Sequence, residues 1–179
     1  LLRIGANAIT DPPAREAPNL AGLMKALRDG MVDVIASDHA PHTLEEKGSG
    51  TPPPGIPGLE TSVPLMLSGV EGGAINLATM IRSYTSRPAS IFSLRGRGRL
   101  EVGFIADLTV LDLKKVWKID SSRFFSMAKY SPFDGLKVKG CSWATFLGGR
   151  PLVLDGTVMA QPGTGKIVRW NSPNDPGDP

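Results

Sequence analysis

Apolar residues follow two rhythms along this chain, and the change falls near Gly98. Before it, they recur at helical spacing or in short unbroken runs. After it, they alternate with polar residues. Residues 1–10 (LLRIGANAIT) read as a short buried strand, ended by Asp11-Pro12-Pro13 because proline cannot donate to a ladder. Asn19 is placed to cap a helix running to about Asp29, with Leu20, Leu23, Met24 and Leu27 at helical spacing and Gly30 as its stop. Residues 32–37 (VDVIAS) are short and nearly all apolar, the pattern of a strand buried on both faces of a parallel sheet. Strand, helix, strand in this order predicts a βαβ unit. Residues 38–58 form a long loop of Pro, Gly and His, and loops of this length in a packed domain are usually functional or disordered. Helices are predicted over 59–72 and 76–85, the second capped by Asn76. Arg87-Pro88 breaks the pattern, and a short helix over 89–94 follows.

Beyond Gly98 the chain predicts a small, mostly β module. Residues 106–113 (ADLTVLDL) alternate like a strand, and 116–119 suggest another. Residues 143–147 and 151–154 flank Gly148-Gly149-Arg150, a hairpin turn. The Pro-rich polar tail, residues 171–179, is expected to be disordered. The predicted division is 1–98, 99–170 and a tail.

Composition narrows the class. The chain has 179 residues, 41% of them apolar, which suits one globular domain with at most a small appendage. No apolar run reaches the roughly 20 residues that span a bilayer, and the first residues lack the pattern of a signal peptide. The single cysteine, Cys141, cannot form an internal disulfide, which fits a reducing, cytoplasmic setting. A net charge of +3 is mild, and Arg95, Arg97 and Arg99 have no aromatic partners, so a nucleic-acid surface is not expected. The chain opens without Met inside an apolar pattern, so a fragment is expected.

The informative chemistry is Ser37-Asp38-His39-Ala40-Pro41-His42. It directly follows a buried strand, the position that lines the active site of a (β/α)8 barrel. Asp38 then stands as a carboxylate able to bind a metal and accept a proton. His42 could reach the same cavity, and His39 is the adjacent candidate. Turn formation is the alternative for an Asp-His beside Pro. Residues 51–61 (TPPPGIPGLET) make a stiff loop opening a helix. Their glycines allow a close backbone approach, and N–H groups near a helix start favour a carboxylate.

Together, SDHAPHTLEEK and PPPGIPGLET resemble the signature of dihydroorotases in the amidohydrolase superfamily. Hydantoinases and allantoinases share the aspartate and the Gly-Leu-Glu-Thr region, but His42 favours dihydroorotase. The likeness runs more weakly through Ala106-Asp107-Leu108 and Ser131-Pro132-Phe133-Asp134-Gly135, to about Gly156. It implies a (β/α)8 barrel with a small β-sandwich, and reversible cyclisation of N-carbamoyl-aspartate to dihydroorotate in pyrimidine synthesis. Asp38 matches the zinc-binding aspartate that also shuttles the proton. His42 matches the histidine that holds the substrate carboxylate, and the Gly55–Gly58 backbone matches the loop that contacts it. Asp11 stands where bacterial members often carry a substrate-contacting Asn. An acidic group there would repel an anionic substrate unless paired, for which Arg15 is the candidate, so Asp11 is either a substrate contact or a turn residue.

The family's zinc site also needs a His-x-His pair and further histidines, and this chain has none of these beyond His39 and His42. A full barrel takes about 250 residues, so only its last two strand–helix units are expected here. The rest of the enzyme is then a required partner, with a homo-oligomer or an aspartate transcarbamoylase complex as further expectations. The alternatives are a hydantoinase or allantoinase, and a metal-free dihydroorotase-like partner of aspartate transcarbamoylase.

Overall fold

A computed structural model of the chain describes residues 5–11, 13 and 17–168. The expectations for the start of the first strand, for Arg15 and for the tail lie outside those residues. Five helices lead into a four-stranded antiparallel sheet of order β1-β2-β3-β4. No helix of the described residues is long and apolar enough to cross a membrane.

The first helix, α1 (Ala17–Arg28), begins two residues before Asn19, which therefore lies inside it and does not cap it. Proline is favoured in a first turn, where its missing N–H is not needed, and Pro18 stands there. The stop is as expected. Gly30 takes φ 76°, Met31 N–H donates to Ala26 O (2.9 Å), and Gly30 N–H donates to Leu27 O (3.3 Å), a Schellman ending.

Three expectations are corrected. Gly5–Ala8 is a single 3₁₀ turn, not strand. Residues 32–37 run without a ladder partner, since a strand is defined by a neighbour and the described residues supply none beside it. Their Val32 and Ile35 still pack on the core of Leu27, Leu67, Ile75 and Met80. The long loop also contains α2 (Leu44–Lys47), one turn closed by a capping box between Thr43 and Glu46.

Helices α3 (Leu59–Glu71) and α4 (Leu77–Tyr84) stand where expected, and the Asn76 side chain accepts from Thr79 N–H (2.8 Å). The last helix, α5 (Ser86–Ile91), includes Arg87-Pro88 because proline fits its first turn, so the break falls at Thr85.

Strand β1 (Leu108–Lys118) joins the two expected strands into one, with a register shift between Asp112 and Val116. The Asp112 carboxylate accepts from Lys114 N–H (2.7 Å) and Lys115 N–H (3.1 Å), which shapes that irregularity. It pairs with β2 (Lys137–Leu147), which turns through Gly148-Gly149 (φ 54° and 80°) into β3 (Arg150–Leu154). An Asp155-Gly156 turn, also left-handed, adds a short β4 (Thr157–Val158). Helix α3 lies on β2, where Gly140 meets Leu67.

Candidate active site

The site grows from the end of residues 32–37. Asp38 is exposed and takes φ 46°, a left-handed conformation that few side chains adopt, Asp among the more tolerant. Strain of this kind clusters at functional sites. Leaving the extended path there turns the next residues toward the loop that follows: Ala40 N–H donates to Ile56 O (3.1 Å) and His39 pairs with Ile56 in a parallel bridge.

His39 is committed elsewhere. Its Nδ1 accepts from Gly58 N–H (3.0 Å) and Leu59 N–H (3.3 Å). Gly58 has no side chain to cap α3, so the histidine satisfies donors that a helix start leaves open. An Nδ1 that accepts leaves the proton on Nε2, so His39 acts as a cap and not as a ligand.

His42 is half-buried, and its Nε2 lies 3.1 Å from Pro54 O. A carbonyl only accepts, so Nε2 carries hydrogen and is a donor, the polarity a carboxylate requires. Its Nδ1 lies 3.7 Å from Glu46 Oε2. The backbone N–H of Thr43 (2.7 Å), with its hydroxyl, holds the Glu46 carboxyl below its ordinary range, so an anion faces this ring.

The loop glycines are used for close approach, but against protein. A Cβ on Gly58 would stand 2.5 Å from Ser37 O, and one on Gly55 2.7 Å from Ala40 O. Gly55 takes φ 127°, and its missing Cβ also leaves open the space 3.3 Å from His42 Nε2. Its N–H donates to Ile9 O (2.8 Å). Asp11, exposed, lies two residues beyond Ile9 in the chain.

Three residues escaped sequence reading. Lys47 is only 1% exposed and donates to Pro53 O (2.8 Å) and Ile9 O (3.3 Å). The buried Tyr130 reaches from before β2 toward Gly55 O (3.5 Å), and burial pushes its phenol up. Glu60 receives Phe125 N–H and Ser126 N–H (both 3.2 Å), tying α3 to the segment before β2. Apart from the Lys47–Pro53 bond, six residues apart, these are long-range contacts that no local pattern encodes. Only the Thr43-x-x-Glu46 box, which sets α2 and hence Lys47, was readable.

No cluster of three metal-binding side chains occurs among the described residues. The exposed Asp38 carboxylate fits a single metal contact, which is less than a catalytic zinc takes from protein. A separate cleft lined by Lys115, Trp117, Cys141 and Asp155 involves neither Asp38 nor His42.

Residues 3–152 match the amidohydrolase family. A protein of Trichlorobacter lovleyi named dihydroorotase is 42% identical over 146 residues, 80% of this chain and 34% of its own length. One of the same name from Methanothermobacter thermautotrophicus is 39% identical over 168 residues, 93% of this chain and 38% of its own. Among solved structures, an L-hydantoinase from Arthrobacter aurescens superposes with a TM-score of 0.85 at 37% identity, covering 89% of this chain and 37% of that one. The chain spans about a third of the length of the curated relatives it matches. On these likenesses the chain belongs to the amidohydrolase family, and its sequence is of the dihydroorotase type.

Proposed function

We propose that this chain supplies the C-terminal side of the active site of a zinc-dependent dihydroorotase, which reversibly cyclises N-carbamoyl-L-aspartate to dihydroorotate. In this reading residues 1–98 are the last part of a (β/α)8 barrel, residues 99–170 belong to a β-sandwich, and the remaining barrel packs on apolar side chains exposed here, such as Leu20 (57%) and Leu23 (54%). The observation that carries it is the pairing of a strained, exposed Asp38 with a His42 Nε2–H donor beside the space left by Gly55.

Asp38 is one ligand of the zinc, and the other ligands belong to the rest of the enzyme. When bound, the metal supplies Lewis-acid polarisation and an activated water. Asp38 takes the proton and returns it to the ring nitrogen as the amide bond opens, or the reverse on cyclisation. His42 donates to the substrate carboxylate through Nε2, exchanging Pro54 O for the carboxylate as substrate enters, and the Gly55–Gly58 loop shapes the space around it. Asp11 is a further candidate substrate contact on this reading. The setting is cytoplasmic, with a homo-oligomer or aspartate transcarbamoylase as candidate associations.

The complete enzyme, assayed with carbamoyl-aspartate, dihydroorotate, a hydantoin and allantoin, tests this. Dihydroorotate turnover is expected, with Asp38→Asn lowering kcat by about a thousandfold at unchanged thermal stability, the scale of a lost general base. Hydantoin opening without dihydroorotate turnover would favour the hydantoinase reading, in keeping with the solved neighbour. A folded protein without zinc or turnover would make it a structural partner.

A further inference from the structure

Lys47 presents a physical puzzle. It is among the most buried side chains of the described residues, at 1% exposure, yet no carboxylate there lies within ion-pair distance of its ammonium. An unpaired buried charge is costly, whereas a methionine would fill the same volume without that cost. Retaining an ammonium here needs a use for its donors and its charge.

The use is visible in what it holds. The ammonium donates to Pro53 O at 2.8 Å and Ile9 O at 3.3 Å. Residues 52–54 are all proline, so this stretch has no N–H with which to secure itself. It can be tied only through its carbonyls, by a donor from elsewhere. The tied stretch carries Pro54 O, which fixes His42 Nε2, and leads into Gly55, whose N–H shares the Ile9 carbonyl with Lys47. The shared acceptor, 3.3 Å from Nζ and 2.8 Å from the Gly55 nitrogen, keeps the cation beside the loop that faces His42.

We propose that Lys47 is a positioning residue for the carboxylate-binding side of the site. Its ammonium clamps the Pro53 and Ile9 carbonyls, sets the loop that orients His42 and Gly55, and adds a positive potential that favours an anionic ligand there. This rests on the reading of His42 as the carboxylate donor. Lys47 touches no reacting atom, so its loss acts on binding and spares the chemical step.

The test uses the complete, metal-loaded enzyme carrying Lys47→Met or Lys47→Arg. In Lys47→Met, KM for dihydroorotate is expected to rise about tenfold or more with kcat within about threefold, the scale of a lost charge-assisted hydrogen bond. Hydrogen exchange at the Gly55 amide is expected to accelerate while amides within α3 stay protected. Lys47→Arg, which keeps charge and donors, is expected to hold KM within about threefold of the parent. A folded Lys47→Met with unchanged KM and unchanged Gly55 exchange overturns the proposal. If Lys47→Met does not fold, Lys47→Arg decides: Gly55 exchange accelerated without a higher KM equally overturns it. If the parent enzyme turns over no dihydroorotate, the functional reading fails, and Gly55 exchange in the variants still decides whether Lys47 holds the loop.

Discussion

Single side chains divide the labour at this site by which of their atoms the backbone leaves free. The two histidines are three residues apart and do different work. His39 gives Nδ1 to the start of α3, while His42 turns a donor Nε2 toward Pro54 O. Asp38 accepts left-handed geometry between them and their strand-like approach. Away from the site, Asp134 gives a clean pH signal. The Ser121 hydroxyl, and then its N–H at 2.7 Å, hold the Asp134 carboxyl below its ordinary range. A carboxyl depressed in the folded state contributes stability above its unfolded value, near 3.9, and loses it as pH falls through the folded one. Chemical denaturation between about pH 5 and 2 should therefore show a larger acid loss in the parent than in Asp134→Asn. Parallel pH curves for the two proteins would refute the assignment.

Elements here are positioned by backbone-to-backbone approach as much as by side-chain packing. Residues 37–40 and 55–58 come so close that only glycine fits at two places, and α3 starts at that contact. In Gly58→Ala, the added Cβ would lie 2.5 Å from the Ser37 carbonyl, so one segment must move. The expected loss is about 1–3 kcal/mol, the usual cost of overpacking, read as a lower urea midpoint with unchanged m. An unchanged midpoint would mean the two segments separate freely. The composition of residues 51–61 suggested a close backbone approach, and in the structure Gly55 and Gly58 make one to Ala40 and Ser37.

Across the whole molecule, the helices and the sheet meet chiefly where α3 lies on β2. Gly140 sits at that joint with φ 91°, and a Cβ there would stand 2.8 Å from Leu67 Cδ1 and 3.0 Å from Leu67 Cβ. Trp117 Nε1–H donates to the same residue's carbonyl at 3.1 Å, so its fluorescence, read with Trp143 and Trp170 replaced by Phe, reports on the joint. Gly140→Val should destabilise by about 2–3 kcal/mol through overpacking and a forbidden backbone angle, with helical dichroism and Trp117 fluorescence melting together. Separate transitions for the two signals would show that the halves are coupled elsewhere.

Much of this protein follows from local chemistry in its sequence. The Schellman stop at Gly30, the Asn76 cap, the Gly148-Gly149 hairpin and the Thr43–Glu46 box are decided within a few residues, because caps and turns need specific backbone angles and short-range donors. The dihydroorotase-type motif around Asp38 and His42 is legible for the same reason, since its residues lie within five positions. Tertiary structure decided what depends on distant partners. Whether residues 32–37 form a strand depends on a neighbour, not on their own apolar character. Whether Lys47 is a solvated charge or a buried clamp depends on carbonyls 6 and 38 residues away along the chain. Composition alone gives a lysine no reason to be inside, and only the folded proline stretch 52–54, lacking N–H groups of its own, supplies one.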